Sequence, residues 1–438
     1  MSLRRRIRSL ADDAFVRNTS VLASGSMVAQ GLAVAVLPLL TRLYSPDDFG
    51  DLAVFTATVA TVSVAACLRY DIAIPLPDKE RDAAGLVVVA GLCALGIAIA
   101  SAAVLVLLGR TLHLVVLVPV AVFFTGLYSA LQSWCVRETR FASVSKARAV
   151  QAVAACGVQL GTGLGRFGPL GLLLGAVLGP VAGALVLSAG LGRRFRNLVA
   201  ATAWSDICGL AAAFSRFPKF STFEALSNSA GAQVPILLIA SIANGAEAGF
   251  VFLAVYALQA PMGLLGGAVA QVFLSEAPDR QRSQNMGALV LSTLEKLAML
   301  GIGPILFAGI VAPDVVPKIF GQEWVRSGIL MSWMAPWCVM QLLSSPISMA
   351  LFIANRHETA LFLQLFGLAL RVGSVLIAAP AVAAEAFALS GFAFYATYLV
   401  VVLRVAGVPV RRMWATLWKA LPLVLAWSAL GVVIALML

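Results

Sequence analysis

Thirteen stretches of mainly apolar residues, each close to the twenty that a helix needs to cross about 30 Å of hydrocarbon, fill most of this chain of 438 residues. They are residues 20–41, 50–68, 83–108, 112–134, 149–165, 169–191, 220–243, 248–273, 290–312, 328–353, 360–379, 383–403 and 420–438. The runs are continuous and lack the two-residue alternation of a lipid-facing barrel strand, so helices are expected. The fifth is short and glycine-rich and the last reaches the C-terminus, which leaves twelve, thirteen or fourteen crossings open. Composition agrees with the pattern. Hydrophobic residues make up 61% of the chain and charged residues 12%, where a soluble domain carries about 25% charged residues. Such a chain cannot cover a water-facing surface. It is read as an all-α polytopic integral membrane protein.

Lys and Arg in alternate loops set the expected orientation. Residues 1–19, 69–82, 136–148, 192–219, 274–289, 354–359 and 404–419 hold 24 of the 31 basic residues, and the opposite loops hold five, among them Arg42, Lys318 and Arg326. The N-terminus is therefore expected in the cytoplasm. The net charge of +11 is read as a topology signal facing anionic membrane lipids, with no nucleic-acid partner. The opening "MSLRRRIRSL" precedes an apolar run too long for a secretion signal, so a retained first helix is expected.

The chain repeats itself. "SGSMVAQ" at Ser24–Gln30 returns as "SNSAGAQ" at Ser227–Gln233, an offset of 203, and "LAVF" at Leu52–Phe55 returns as "LAVY" at Leu253–Tyr256, an offset of 201. The first pair falls in spans 1 and 7. Six crossings return a chain to the same orientation, so the halves are expected to be parallel repeats. The expected organisation is an N-terminal lobe over 1–191, a basic link with an amphipathic helix over 192–219, a C-terminal lobe over 220–403, and a basic loop plus an additional helix over 404–438.

Polar residues inside spans are the candidate site. Gln30 and Gln233 occupy equivalent repeat positions, and Glu224, Asn228, Gly231 and Pro235 fall on one face of span 7. Such side chains either glue helices together or line a wet cavity. Arg371 stands near the middle of span 11, where a charge costs a few kcal/mol. His357, Gln364 and Arg371, spaced by seven, form one stripe. That stripe is either a substrate path or a structural hydrogen-bonding device. Glu295 and Lys296, at the edge of span 9, are expected to snorkel to the interface.

Other features carry less. "GTGLGRFG" at 161–168 lacks the strand–helix context and the Lys-Ser/Thr ending of a phosphate loop. His113 and His357 have no metal-ligand spacing, and the six cysteines are scattered, as small buried hydrophobes are. No metal and no cofactor is expected. The short external loops offer no obvious place for a catalytic constellation, so an enzyme is not expected.

The opening "RNTSVLASGSMVAQGLAVAVLPLLTRLYSPDDFGDLAVF", "RYD" at Arg69–Asp71 and "IFGQEWVRSG" at Ile319–Gly328 resemble the polysaccharide biosynthesis transporters. These are the O-antigen translocases, or Wzx-type flippases, of the multidrug/oligosaccharidyl-lipid/polysaccharide exporter superfamily. The resemblance implies two six-helix lobes forming a V around a central cavity, and a thirteenth helix departs from that plan. It implies flipping of a polyprenyl-diphosphate-linked oligosaccharide across a bacterial inner membrane by alternating access, for O-antigen, capsule or exopolysaccharide assembly. Other polysaccharide assembly proteins are expected partners. A diphosphate needs cationic and hydrogen-bonding side chains along its path. Arg69 and Arg371 are the cations that the resemblance points to, with Arg17, Arg216 and Lys219 gathering the headgroup. Asn18, Gln30, Asn228, Gln233 and Gln364 would contact sugar or water. Glu224 is the candidate for a coupling ion. The alternatives are a cation-coupled multidrug exporter of the same superfamily and a membrane-embedded polysaccharide polymerase or ligase.

Overall fold

The computed structural model describes residues 25–243, 245–282, 285–354 and 356–437, so Arg17 and Asn18 lie outside the described residues. In chain order the helices are α1 (Gly25–Leu43), α2 (Pro46–Ala66), α3 (Glu80–Leu107), α4 (Leu112–Arg137), α5 (Phe141–Leu164), α6 (Pro169–Ala189), α7 (Arg193–Ala200), α8 (Trp204–Ala213) and α9 (Thr222–Ile242). They continue with α10 (Gly245–Arg282), α11 (Met286–Leu297), α12 (Gly303–Phe320), α13 (Val325–Ser344), α14 (Met349–Ile353), α15 (His357–Ile377), α16 (Ala383–Val405) and α17 (Val410–Met437). Wider π turns at Phe217–Ser221 and Ala298–Ile302 lead into α9 and join α11 to α12. The described residues contain no strand, and the fold is all-α.

Each of the thirteen expected stretches falls on a helix. Eleven helical segments are long and apolar enough to cross a membrane among the described residues. The other two are α5 and α10. Helix α5 starts at Phe141, eight residues before its apolar stretch, so Lys146 and Arg148 are helical rather than loop residues. An apolar window cannot detect a helix whose first two turns carry Ser, Lys and Arg. The chain turns sharply between α4 and α5: Thr139 takes a left-handed φ of 55°, and the Arg140 amide donates to the Cys135 carbonyl at 2.8 Å.

The chain divides into two compact units. The first comprises Met1–Leu43 and Phe55–Ser229. Its core lies on α3, α4 and α6, with Leu86, Ala90, Val122, Trp134 and Leu173 almost wholly buried. Helices α5 and α6 approach closely because Gly175, Gly179 and Gly183 of α6 leave room for Gln151, Ala155 and Gln159 of α5, the small-residue packing that membrane helices favour. The segment 192–219 belongs to this unit. Arg194 pairs with Glu80 at 2.6 Å, Arg81 with Asp206 at 2.7 Å, and the Phe195 ring lies 4.7 Å from that of Trp134. Helices α7 and α8 are thereby docked against the start of α3.

The second unit comprises Tyr44–Val54 and Ala230–Leu438. Phe49 packs edge-on to Trp324 at 4.9 Å and lies 6.3 Å from Phe252, which seats the first turn of α2 in this unit. Beside it, three helix starts are tied by charge. Arg326 of α13 donates to both carboxylate oxygens of Glu247 in the first turn of α10, at 2.7 to 3.3 Å. It also pairs at 2.6 Å with Glu385 in the first turn of α16. Each carboxylate sits where the helix dipole favours a negative charge. Helix α17 packs on α12, with Trp427 edge-on to Phe307 at 5.5 Å, and Lys419 of α17 binds Glu295 at 3.0 Å. Glu295, expected only to snorkel, thus has a fixed partner that no local pattern announces. The six cysteines are all free.

Candidate functional site

In the second unit the polar centre is Arg371. Residues spaced by seven share a helical face, and α15 carries Gln364 and Arg371 two turns apart. The arginine is 2% exposed. Its Nε donates to the Gly367 carbonyl one turn back at 3.0 Å. Its guanidinium lies 4.5 Å from the centre of the Phe394 ring, and Tyr395 is within hydrogen-bonding reach. No carboxylate pairs with it among the described residues. A cation at membrane depth costs about 3 kcal/mol on insertion scales. The contact with Phe394 offsets up to about 2 kcal/mol of that. What remains is a guanidinium with donors to spare.

Helix α9 passes directly over this cation. A Cβ on Gly231 would stand 2.6 Å from a terminal nitrogen of Arg371, so only glycine leaves the guanidinium in place. The glycine lies inside the second copy of the repeat, at a position where the first copy has Val28. Gln233, two residues on, is half-buried and points away from Gly231, because two residues turn a helix through about 200°. Gln364 is half-buried, and its Oε1 is enclosed without a hydrogen-bond partner.

In the first unit, "RYD" is built around two strained residues. Leu68 and Arg69 both take left-handed φ, 46° and 62°, a conformation costing roughly 1–2 kcal/mol per non-glycine residue. The next two side chains hold the turn. The Tyr70 hydroxyl donates to the Ala211 carbonyl at 2.9 Å, and Asp71 accepts from Ser129 at 2.6 Å. Burial pushes the Tyr70 phenol above its ordinary value, so it remains a neutral donor. Arg69 makes no ion pair among the described residues, and its Nε is buried without a partner. Strain of this kind gathers where function requires a side chain in one place.

Arg148 was not singled out by the sequence, where it counts as a loop charge. It lies on α5, half-buried, and donates to Ser26 of α1. The Tyr128 phenol of α4 is beside it. The one available signal was helical spacing: Arg148, Gln151 and Gln159 continue a polar face back past the apolar start of the span.

The remaining candidates are dispersed. Gln30 is half-buried, with an enclosed Oε1 that lacks a partner. Arg216, Lys219 and Asn228 are exposed, and Glu224 is half-buried with no ion pair among the described residues. By spacing, Glu224 and Asn228 share the face of α9 that carries Gly231. No group of three or more His, Cys, Asp or Glu with metal-binding geometry occurs among the described residues.

Comparison with known proteins places this geometry. No curated protein matches the sequence. In fold, the chain is similar to the lipid II flippase MurJ in an inward closed conformation, with a TM-score of 0.69 at 10% identity over 96% of each chain. It is also similar to an inward-facing multidrug resistance MATE transporter of the MOP superfamily, with a TM-score of 0.59 at 14% identity, covering 90% of this chain and 98% of that one. A third is a MOP superfamily transporter from Pyrococcus furiosus, with a TM-score of 0.54 at 14% identity over 92% and 95%. A family model described as "Polysaccharide biosynthesis protein" matches residues 78–328. That match spans more than half of the chain, so this all-helical membrane protein, with the fold of MOP superfamily transporters, belongs to the polysaccharide biosynthesis protein family.

Proposed function

We propose that the protein is a flippase that moves a polyprenyl-diphosphate-linked oligosaccharide across the bacterial inner membrane by alternating access, in the assembly of O-antigen, capsule or exopolysaccharide. The observation that carries this reading is Arg371, a buried guanidinium with no carboxylate to neutralise it among the described residues. A protein that needed only a structural crosslink would pair such a charge, because a lone buried cation is costly. One that accepts a diphosphate gains from leaving it unpaired, since charge-assisted hydrogen bonds from Arg to phosphate are strong and bidentate. Arg69, held in a strained turn, is the second cation, and Arg148 the third. Arg216 and Lys219, exposed just before α9, attract anionic headgroups. Gln30, Gln233, Gln364 and Asn228 offer neutral contacts to sugar or water.

The N-terminus is cytoplasmic in this reading, so the basic loops and the exposed Arg193 and Arg196 of α7 face anionic lipid. Other polysaccharide assembly proteins are partners, and the protein is not an enzyme. One observation favours a cation-coupled cycle: Glu224 is a half-buried carboxylate without an ion-pair partner among the described residues. It would bind a proton or sodium ion that is released as the transporter turns over.

The test is a deletion strain assayed for lipid-linked oligosaccharide on each leaflet, complemented at matched protein levels. Intermediates should accumulate on the cytoplasmic side, wild type should clear them, and Arg371→Ala and Arg69→Ala should not. An unchanged lipid pool in the deletion strain contradicts the reading.

A further inference from the structure

A cleft of about 300 Å³ lies between α10 and α13 in the second unit. Its polar lining is Gln259, Gln341 and Ser345, set among apolar and glycine positions such as Met262, Gly266 and Leu342. Among the described residues no charged side chain lines it. The Oε1 of Gln341 is enclosed and has no hydrogen-bond partner, and an unmet buried acceptor is the kind of group that a ligand completes. Two carboxamides and a hydroxyl present donors and acceptors without charge. Apolar contacts beside them suit a ring with hydroxyls on its rim and C–H groups on its faces. The volume is at the small end of ligand sites, room for one sugar ring and not for a chain of them.

Position adds a second argument. Phe394 of α16, whose ring lies 4.5 Å from the Arg371 guanidinium, follows Gly391 by three residues, and a Cβ on Gly391 would stand 2.7 Å from the Trp337 ring of α13. Trp337 precedes Gln341 by four residues, about one helical turn. The cleft therefore opens one turn along α13 from the place where α16, the helix that covers the buried cation, packs on it. In a substrate whose diphosphate is at Arg371, the sugar bonded to that diphosphate is the one nearest to the cation, which makes this neighbouring cleft the candidate to receive it.

We propose that the α10–α13 cleft is the subsite for the diphosphate-linked sugar and that it admits an uncharged hexose ring and rejects a uronic acid. The proposal rests on the flippase reading for the identity of the ligand. An acidic sugar would bring a carboxylate among lining residues that, as far as they are described, offer no cation, and its desolvation would go uncompensated. Gln341 acts as a specificity residue by accepting and donating to ring hydroxyls.

The experiment uses the full-length protein in lipid nanodiscs, with saturation-transfer NMR and three free probes: glucose, N-acetylglucosamine and glucuronate. The neutral sugars should give transfer signals that weaken about tenfold in Gln341→Leu, which is about 1.4 kcal/mol, and fall to a lesser degree in Ser345→Ala. Glucuronate should give no signal. Equal signals from wild type and Gln341→Leu, or a glucuronate signal as strong as that of glucose, would overturn the subsite. Thermal melting of each variant in the same nanodiscs separates a lost contact from a lost fold. If sugar binding depends on Gln341 while the deletion strain shows no accumulated intermediate, the cleft stands and the flippase reading falls.

Discussion

A buried arginine without a counter-charge makes opposite demands on stability and on transport, and that separates the two roles open to Arg371. If the residue is kept for an anionic substrate, removing its charge relieves the folded state. Replacing even a buried ion pair with apolar side chains of similar size is often neutral or stabilising, by up to about 4 kcal/mol, and a buried cation without a pair has less attraction to lose. Arg371→Met is therefore expected to melt higher by at least about 2 °C while losing transport, read as thermal unfolding in detergent beside clearance of the lipid-linked pool. A lower melting temperature with intact transport would mark the arginine as a structural strut. At this scale the sequence was informative where the chemistry stands out against its neighbours. Arg371 in "FLQLFGLALRVGS" is visible because every residue around it except Gln364 is apolar or small. Its glycine partner at 231 was visible as a member of the face of span 7 that carries Glu224 and Asn228, but nothing in the sequence says which residue approaches a side chain 140 positions away. Arg148 was hidden by the opposite circumstance, a charge among other charges at a helix start.

Between elements, the tie among α10, α13 and α16 is the clearest case of structure that no local pattern encodes. Arg326 is one basic residue in a short loop by sequence, yet it joins Glu247 and Glu385, which lie 79 and 59 positions away. Arg326→Ala would leave two partly enclosed carboxylates facing each other. Breaking a fully buried pair costs about 3–5 kcal/mol, and with the Arg326 side chain 27% exposed a loss of about 2 kcal/mol is expected. Glu385→Gln should cost less, because the two-oxygen contact with Glu247 survives. Denaturant or thermal unfolding of the two variants checks the order, and equal stability of Arg326→Ala and wild type would contradict it. Helix existence, in contrast, was legible almost throughout, since a run of some twenty apolar residues has few alternatives in a bilayer. The boundaries were not. Polar first turns conceal where α5 starts, and the docking of α7 and α8 onto α3 depends on Glu80 and Asp206, whose pairing needs the folded chain.

For the molecule as a whole, the contacts gather the chain into compact units that divide at Ser229 and Ala230, with Tyr44–Val54 in the second unit. Hydropathy follows the chain in order, while compactness follows contacts such as that of Phe49 with Trp324. Function at this scale rests on whether the two unpaired cations serve an anionic lipid-linked sugar. The most direct test is reconstitution of the purified protein into liposomes, with a fluorescent polyprenyl-diphosphate oligosaccharide placed in one leaflet and its appearance in the other followed by quenching. The protein should accelerate that transfer, Arg371→Ala should not, and a zwitterionic phospholipid probe should remain where it was placed. No acceleration over protein-free liposomes, or equal transfer by Arg371→Ala, would contradict the account.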